Sequence, residues 1–202
     1  EILNLVRKSG GNTVQTYGKH QNGFSRCIEA HNYLKYQRYI LLQGDELLLD
    51  PNSLNIMEKT IKPSSQKIYN AVTKLSSYRE ITNKNIVKCM ISNKKNIQLM
   101  FRKSPLIAGN NVQVTQIKKV CGLFGFTEKT LNLIGTYSPS NRAQHESIEQ
   151  LSFLDDDIQI EAVELVKNYP SVNDSKDVKI CKKLLLSDKF QNNIWKKIES
   201  RN

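Results

Sequence analysis

The sequence predicts an all-α protein, a multi-helix bundle with a possible helix-turn-helix subdomain. Apolar residues recur every three or four positions in several segments, as Ile68, Val72 and Leu75 do, which is the period of one helix face. Cap and stop residues bracket such segments: Ser25 precedes a predicted helix and Gly44 ends it. No apolar run reaches the roughly 20 residues of a membrane-spanning helix, so we expect no membrane contact.

The predicted helices follow one another along the chain and leave little room for strands. They cover residues 2–8, 25–43, 65–75, 82–91, 95–102, 158–167 and 189–200. A Ser-Pro step and a Gly-Asn-Asn turn interrupt the pattern between residues 104 and 111. We therefore expect an N-terminal helical region over residues 1–106 and a C-terminal one over residues 107–202, with a single domain as the alternative.

The net charge of +11 is concentrated in the middle of the chain. Residues 61–143 hold 14 basic and 2 acidic residues, whereas residues 1–60 hold 7 and 6 and residues 144–202 hold 9 and 11. A basic stretch between near-neutral flanks is typical of a surface that binds phosphates. Nucleic acid is the expected partner, and a merely solvated lysine-rich face is the alternative.

The segment Ile117–Ile134 has the residue types that two short crossing helices require. Cys121 is small where the helices touch, and Gly125 suits a turn that needs a positive φ. Thr127 is placed to cap a second helix, and Leu131 and Ile134 are spaced to face inward. The segment resembles the helix-turn-helix of DNA-binding proteins, although Gly122 inside the first helix departs from that pattern.

This resemblance implies a recognition helix in the major groove, and it assigns roles to particular residues. Thr127, Lys129, Thr130 and Asn132 would face the groove, while Lys118, Lys119 and Arg142 would contact backbone phosphates. Further basic residues complete the predicted nucleic-acid interface: Lys94, Lys95, Arg102 and Lys103. The run from Ser65 to Phe126 also resembles helical accessory regions of replication helicases in large DNA viruses.

We therefore expect an intracellular nucleic-acid-binding protein that favours DNA over RNA and acts in viral or mobile-element replication or transcription. Nucleus, cytoplasm and virion are not distinguished. A packaging protein without sequence preference and a small metal-independent ribonuclease are the alternatives. The last helix is expected to dock onto the core, a second copy or a partner protein.

No catalytic residue, cofactor or metal site is expected. The chain has no Gly-rich loop followed by Lys and Ser or Thr, so it lacks a P-loop. Cys27 and His31 lie four residues apart on one predicted helix and His20 is nearby, but no fourth zinc ligand is evident.

Overall fold

A computed structural model describes residues 1–20, 22–103, 117–167 and 169–200, and it shows a mixed α/β fold. The helices are α1 Ile2–Lys8, α2 Gly23–Leu34, α3 Asn52–Thr60, α4 Tyr78–Thr82, α5 Glu128–Ile134, α6 Asn141–Glu146, α7 Gln150–Asp155, α8 Ser175–Ser187 and α9 Lys189–Glu199. The strands are β1 Arg38–Leu42, β2 Ile68–Lys74, β3 Lys88–Ile91, β4 Ile97–Phe101, β5 Ile117–Thr127 and β6 Ile160–Glu164. The all-α prediction is therefore wrong.

The strands form one sheet with β5 at its centre. The order is β4-β3-β5-β2-β6, and β1 also pairs with β5, from Arg38 opposite Thr127 to Leu42 opposite Leu123. The β2–β6 pair is parallel, and the other pairs are antiparallel. Because β5 is long, its first half pairs with β3 and its second half pairs with β1. Two strands that are distant in sequence therefore lie along the same strand.

The run of residues in β5 shows why the helix-turn-helix prediction is wrong. Leu123 packs in the apolar cluster against α3, whereas Phe124 and Phe126 pack in the cluster on the opposite face. This alternation is the period of a strand. Gly125 makes no turn; a Cβ there would lie 2.7 Å from the Met57 Sδ, so the bare backbone lets α3 pack closely.

Five other predicted helices contain strands instead. β1 lies within the predicted helix 25–43, whose first part is the helix α2, and β2, β3, β4 and β6 lie within the helices predicted at 65–75, 82–91, 95–102 and 158–167. The strand β2 is buried at six successive positions from Ile68 to Thr73. A strand covered on both faces has no polar alternation, so its apolar spacing is easily matched to a helix.

Helices cover both faces of the sheet. On one face α3 packs on Tyr69, Cys121 and Leu123, and on the other face α2, α5, α6 and α7 surround a larger cluster that includes Phe24 and Phe124. Among the described residues, no helix is both long and apolar enough to cross a bilayer. The proposed division between residues 106 and 107 lies outside the described residues and stays a prediction.

Candidate active site

A cavity of about 650 Å³ opens between the turn after β1, the middle of β5 and the loop before α8. We call it the Asp45 cleft. The polar and glycine residues of its wall include Gln43, Asp45, Glu46, Arg102, Lys119, Gly122, Glu149, Gln150 and Asn173. Its size is typical of a small-molecule site.

The turn at residues 43–46 is fixed to β5 by two hydrogen bonds with one residue. The Gln43 N–H donates to the Gly122 carbonyl at 2.8 Å, and the Gly122 N–H donates to Glu46 Oε1 at 2.7 Å. A Cβ on Gly122 would lie 2.6 Å from Gln43 Oε1 and 2.9 Å from Gln43 Cβ. Only glycine therefore lets the turn approach the strand this closely.

Asp45 has a side-chain oxygen that the fold leaves unsatisfied. Its backbone carbonyl accepts a hydrogen bond from the Val172 N–H at 2.9 Å, which ties the turn to the loop before α8. Its Oδ1 atom is buried without a hydrogen-bond partner among the described residues. A buried carboxylate oxygen without a donor or cation is costly, so this atom indicates a position for a ligand.

Two of the three basic side chains of the cleft, those of Lys119 and Arg102, are held by backbone carbonyls. Lys119 is buried, and its Nζ donates to the Tyr169 carbonyl at 3.0 Å. The Arg102 guanidinium donates to the carbonyls of Glu146 and Ser147 at 2.9 Å each. The wall also carries the acidic residues Asp45, Glu46, Glu80, Glu149, Asp174 and Asp177, so the two cations lie in a cleft that is lined by charges of both signs.

Lys88 lies behind this wall and is fully buried. Its Nζ donates to the carbonyls of Asn83 and Ile86 at 2.8 Å and to that of Arg102. Burial, with a smaller effect from the Arg102 charge, lowers the pKa of Lys88 to about 8. The three hydrogen bonds fix the loop before β3 to the end of β4.

Glu149 and Gln150 bring polar groups to the other side of the cleft. Burial raises the pKa of Glu149 to about 7. The Gln150 Nε2 donates to Asn70 Oδ1 at 3.4 Å, and Asn70 Nδ2 donates to the Cys121 carbonyl at 3.0 Å. This chain of amides links the start of α7 to the centre of the sheet.

A second cavity, of about 600 Å³, shares the wall Ser147–Glu149 with the Asp45 cleft. Its lining combines the start of α2 with residues after α5 and in α7, and it includes Lys19, Asn22, Tyr137 and Gln144. Two adjoining cavities with polar linings provide room for two small ligands. We call this second space the Lys19 cavity.

The structure brings two residues of the predicted nucleic-acid interface, Arg102 and Lys119, into the Asp45 cleft. Thr127 and Thr130 are buried, and the Thr127 hydroxyl donates to the Ser65 carbonyl at 2.6 Å, so neither faces outward. The others lie on the surface or in ion pairs at separate places: Lys94 and Lys95 in the β3–β4 turn, Lys103 after β4, Lys118 in β5, Lys129 and Asn132 in α5, and Arg142 in α6.

The basic middle of the chain is partly neutralised by acids from the last third. Lys67 pairs with Glu161 at 3.1 Å, and Lys118 pairs with Glu164 at 3.2 Å. Arg142 likewise pairs with Asp155. Basic residues that are close in sequence are thus far apart in the structure or paired with acids. The basis for the predicted nucleic-acid surface is therefore removed.

The histidines and Cys27 lie outside the cleft. His20 Nε2 is 2.6 Å from a Glu29 carboxylate oxygen, and His31 Nδ1 is 2.5 Å from the Tyr39 hydroxyl. Burial raises the pKa of the Cys27 thiol to about 11, which disfavours a thiolate. In the described part of the chain, no three His, Cys, Asp or Glu side chains are grouped to hold a metal ion.

Sequence reasoning missed Asp45, Glu46, Glu149 and Gln150. The signal at Asp45 is the run Tyr39–Leu42 followed by Gln43-Gly44-Asp45-Glu46. Interpreted as a strand, this run would place two acids at the end of a strand, where ligands bind in α/β sheets. Interpreted as a helix, the run simply ends at Gly44, and the two acids carry no signal.

A family model shows the family to which the chain belongs, and its curated relatives have matching names. A family model described as cytidylyltransferase matches residues 1–165. The 3-deoxy-manno-octulosonate cytidylyltransferase of Chlorobium phaeobacteroides is 26% identical over 189 residues, which cover 92% of this chain and 76% of the relative. The enzyme of the same name from Escherichia coli is 23% identical over 172 residues, which cover 85% and 70%.

Solved structures show the same fold. A CMP:2-keto-3-deoxy-manno-octonic acid synthetase complexed with CTP superimposes with a TM-score of 0.79 at 22% identity, over 93% of this chain and 77% of that one. The inositol-1-phosphate CTP transferase from T. maritima gives a TM-score of 0.56 at 15% identity, over 91% and 71%.

These matches overturn the expectations drawn from the basic middle. The resemblances to helix-turn-helix proteins and to viral helicase accessory regions are wrong, because the family match spans both segments. The predicted DNA-binding function and the nucleic-acid partner are wrong for the same reason, and the relatives give no support to a viral protein. Nucleotides and sugars are what the relatives' names specify.

Proposed function

The chain belongs to the cytidylyltransferase family, and we propose that it transfers the cytidylyl group of CTP to 3-deoxy-manno-octulosonate. The observation that carries this proposal is the Asp45 cleft, where a buried carboxylate oxygen without a partner shares a cavity with Lys119 and Arg102. The names of the relatives supply the donor and the acceptor. The adjoining Lys19 cavity supplies room for a second ligand.

The transfer is a displacement at phosphorus. A hydroxyl oxygen of the sugar acid bonds to the α-phosphorus of CTP, the bond from that phosphorus to the bridging oxygen breaks, and pyrophosphate leaves. The hydroxyl proton passes to a base or to water. Catalysis of such a step is mostly positioning and electrostatic stabilisation, which a rigid cleft with fixed charges provides.

The Asp45 carboxylate fits a magnesium ion that accompanies the nucleoside triphosphate. Mg²⁺ prefers oxygen ligands and is commonly bound by one or two carboxylates together with substrate phosphates and water. Asp45 Oδ1 is buried and unsatisfied, and no group of three ligating side chains is present in the described residues. When bound, the ion would neutralise phosphate charge; Asp45 would hold it, and the Gly122–Glu46 hydrogen bond would keep the Asp45 turn in place.

An acidic sugar fits the remaining features of the cleft. Lys119 and Arg102 lie among the six acidic residues of the wall and are held by the carbonyls that they contact, so they are the groups that would bind the carboxylate of the sugar. The side chains of Glu149 and Gln150 offer hydrogen-bonding groups for sugar hydroxyls on the opposite side.

The direct test is product formation from CTP and 3-deoxy-manno-octulosonate with magnesium present. Pyrophosphate release and the new CMP-sugar are measured together, with ATP or UTP as alternative donors and glucose as a neutral acceptor. We expect both products only with CTP and the sugar acid. The proposal is wrong if the protein forms no CMP-sugar under these conditions.

Asp45→Asn is the matching variant. Removal of the carboxylate charge should lower kcat/KM by about 100-fold or more, the usual range for a residue that stabilises charge during the reaction. Asp156→Asn is the control, because Asp156 is an exposed carboxylate at the end of α7 outside both cavities. Equal losses in both variants would remove Asp45 from the site.

A further inference from the structure

The turn between α6 and α7 separates the two cavities. Residues 147–149 line both the Asp45 cleft and the Lys19 cavity, and we call them the partition turn. Ile148 lies at the centre of this turn, where it is buried and packs in the larger apolar cluster. The position of the partition turn therefore decides the shape of both cavities at the place where they adjoin.

Ser147 begins the partition turn in a left-handed conformation, with φ 52° and ψ 47°. A side chain disfavours this region, whereas glycine adopts it without strain. The geometry closes α6, because the Ile148 N–H reaches back to the Ala143 carbonyl at 3.1 Å. Strained backbone of this kind persists only where neighbouring contacts determine it, and it is common at functional sites.

The Arg102 side chain holds the two peptide groups that flank the Ser147 Cα atom. Its Nε donates to the Glu146 carbonyl and its Nη2 donates to the Ser147 carbonyl, both at 2.9 Å. Because each peptide group is planar, fixing these two carbonyls fixes both φ and ψ of Ser147. A guanidinium suits this task since its donors form a rigid fork, whereas a lysine ammonium is a single point charge.

Arg102 is itself anchored on the side of the sheet. Its Nη1 donates to the carbonyls of Lys84 at 3.1 Å and Asn85 at 3.4 Å, in the loop before β3. The Arg102 carbonyl accepts a hydrogen bond from the buried Lys88 Nζ. All three nitrogens of the guanidinium are thus engaged with backbone carbonyls, and they hold the partition turn against the loop before β3 and the end of β4.

Glu149 is the acidic side chain that the partition turn carries into the site. It lies two residues after Ser147, and it lines both cavities. Burial raises the pKa of its carboxyl to about 7. A displacement of the turn towards solvent would expose this carboxyl, so the titration of Glu149 reports the position of the turn.

We propose that Arg102 is a positioning residue for the partition turn: it keeps Ser147 in the left-handed conformation and thereby sets Glu149 between the two cavities. This role adds to any contact that Arg102 makes with a ligand, and it is the same whichever substrate occupies each cavity. Its effect on turnover rests on the proposed function, whereas the hold on the turn does not depend on the reaction.

The test is whether glycine at position 147 relieves the loss of Arg102. Arg102→Met removes the donors, and we expect kcat/KM to fall by about 100-fold because a small displacement within a site has an effect of this size. Ser147→Gly in the same protein should restore at least about tenfold, since glycine adopts the left-handed conformation without being held there. If Arg102→Met does not fold, Arg102→Lys takes its place, because lysine keeps the charge without the fork.

Lys35→Gly is the matched control. Lys35 ends α2 with φ 53° and ψ 39°, so glycine relieves the same kind of backbone strain there. Lys35 is exposed and lines neither cavity. Combined with Arg102→Met, it should restore no activity. Equal recovery with Ser147→Gly and with Lys35→Gly overturns the inference, because general stabilisation would then explain both.

Titration of the Glu149 carboxyl by NMR gives a readout that does not depend on turnover, with Glu149→Gln to assign the signal. Its pKa should fall from about 7 towards the ordinary value of 4.5 in Arg102→Met, and it should rise again when Ser147→Gly is added. The Ile148 amide should exchange about tenfold faster in Arg102→Met, because its hydrogen bond to the Ala143 carbonyl closes the turn.

The outcomes separate this inference from the proposed function. If the unaltered protein forms no CMP-sugar, the proposed function is overturned, and the Glu149 titration and the Ile148 exchange decide whether Arg102 holds the turn. A loss of activity in Arg102→Met that Ser147→Gly does not relieve, together with an unchanged Glu149 titration and unchanged Ile148 exchange, overturns the inference and leaves Arg102 with ligand contact alone.

Discussion

The Gly122 N–H donates a 2.7 Å hydrogen bond to the Glu46 carboxylate across the gap between β5 and the turn after β1. The Gly122 carbonyl accepts from Gln43 on the other side of the same turn. One strand residue without a side chain therefore fixes the two residues that flank Gly44 and Asp45. The position of the unsatisfied Asp45 oxygen depends on this close approach.

Gly122→Ala should lower cytidylyl transfer by at least about tenfold and destabilise the fold by about 1–3 kcal/mol, the usual cost of overpacking. The added Cβ would meet Gln43 Oε1 and Cβ within 3 Å and push the turn away from β5. Transfer kinetics and urea unfolding measure the two effects.

Gly44→Ala is the matched control for that change. A Cβ at Gly44 meets nothing within 4 Å, and Gly44 does not line the cleft. If both alanine variants lose activity equally, the close approach at Gly122 is not the cause.

Glu149 should make the reaction sensitive to pH near 7. Because burial raises the pKa of its carboxyl to about 7, it is mainly protonated at pH 6 and charged at pH 8. A charged Glu149 repels an acidic acceptor, so kcat/KM for the sugar acid should fall as the pH rises through 7. Glu149→Gln should flatten this part of the profile, and an unchanged profile in that variant would contradict the assignment.

The same carboxyl gives a stability prediction of definite sign. The folded state holds the Glu149 proton between its ordinary pKa of 4.5 and about 7, where the unfolded state has released it. Stability should therefore decrease as the pH rises from 4.5 to 7. Unfolding in urea at pH 5 and pH 8 should show a smaller difference for Glu149→Gln than for the unaltered protein.

Several local features were predictable from the sequence, but the fold class was not. The N-terminal helix Ile2–Lys8 and the helix after Thr127 are present, because caps and glycines act locally. The strand at Ile68–Lys74 depends on partners that are distant in sequence: Lys118–Gly125 on one side and Ile160–Glu164 on the other. Propensity does not reveal such pairing.

The site was harder to predict because its members come from separate segments. Lys119 and Arg102 were selected for their charge, and the structure places both in the Asp45 cleft, where the proposed ligands are a nucleotide and a sugar acid. Asp45 and Glu149 lie 104 positions apart in the sequence and share a cleft only because β5 and α7 bring them together. The number of basic residues in 61–143 does not show that two of them, Lys67 and Lys118, pair with Glu161 and Glu164 in the folded protein.

Lys88→Met should destabilise the protein by about 2–4 kcal/mol, because three backbone carbonyls lose their buried donor. The methionine side chain keeps a similar length but donates no hydrogen bond to the carbonyls of Asn83, Ile86 and Arg102. Urea unfolding at pH 7 measures the loss. Lys94→Met is the control, since Lys94 is exposed in the β3–β4 turn, and a similar loss there would contradict this reasoning.

Phe24 should be among the most sensitive core positions, because it joins three elements around the cavities. Its ring centroid lies 5.1 Å from that of Phe124 in β5 and 5.1 Å from that of Phe153 in α7, both edge-on. Phe24→Ala should cost about 3–5 kcal/mol through the lost burial and the cavity left behind. Phe24→Leu should cost less, because it keeps most of the volume and loses mainly the ring contacts.

The same two variants separate a packing role of Phe24 from a role in the site. Phe24 and Phe153 line the Lys19 cavity, whereas Phe124 lines the Asp45 cleft. The cluster of these three rings therefore forms part of the wall of both cavities. If the cluster sets the relative position of the cavities, Phe24→Leu should lower kcat at 25 °C while the protein remains folded by near-UV circular dichroism. A leucine variant with unchanged kcat and reduced stability would limit Phe24 to packing.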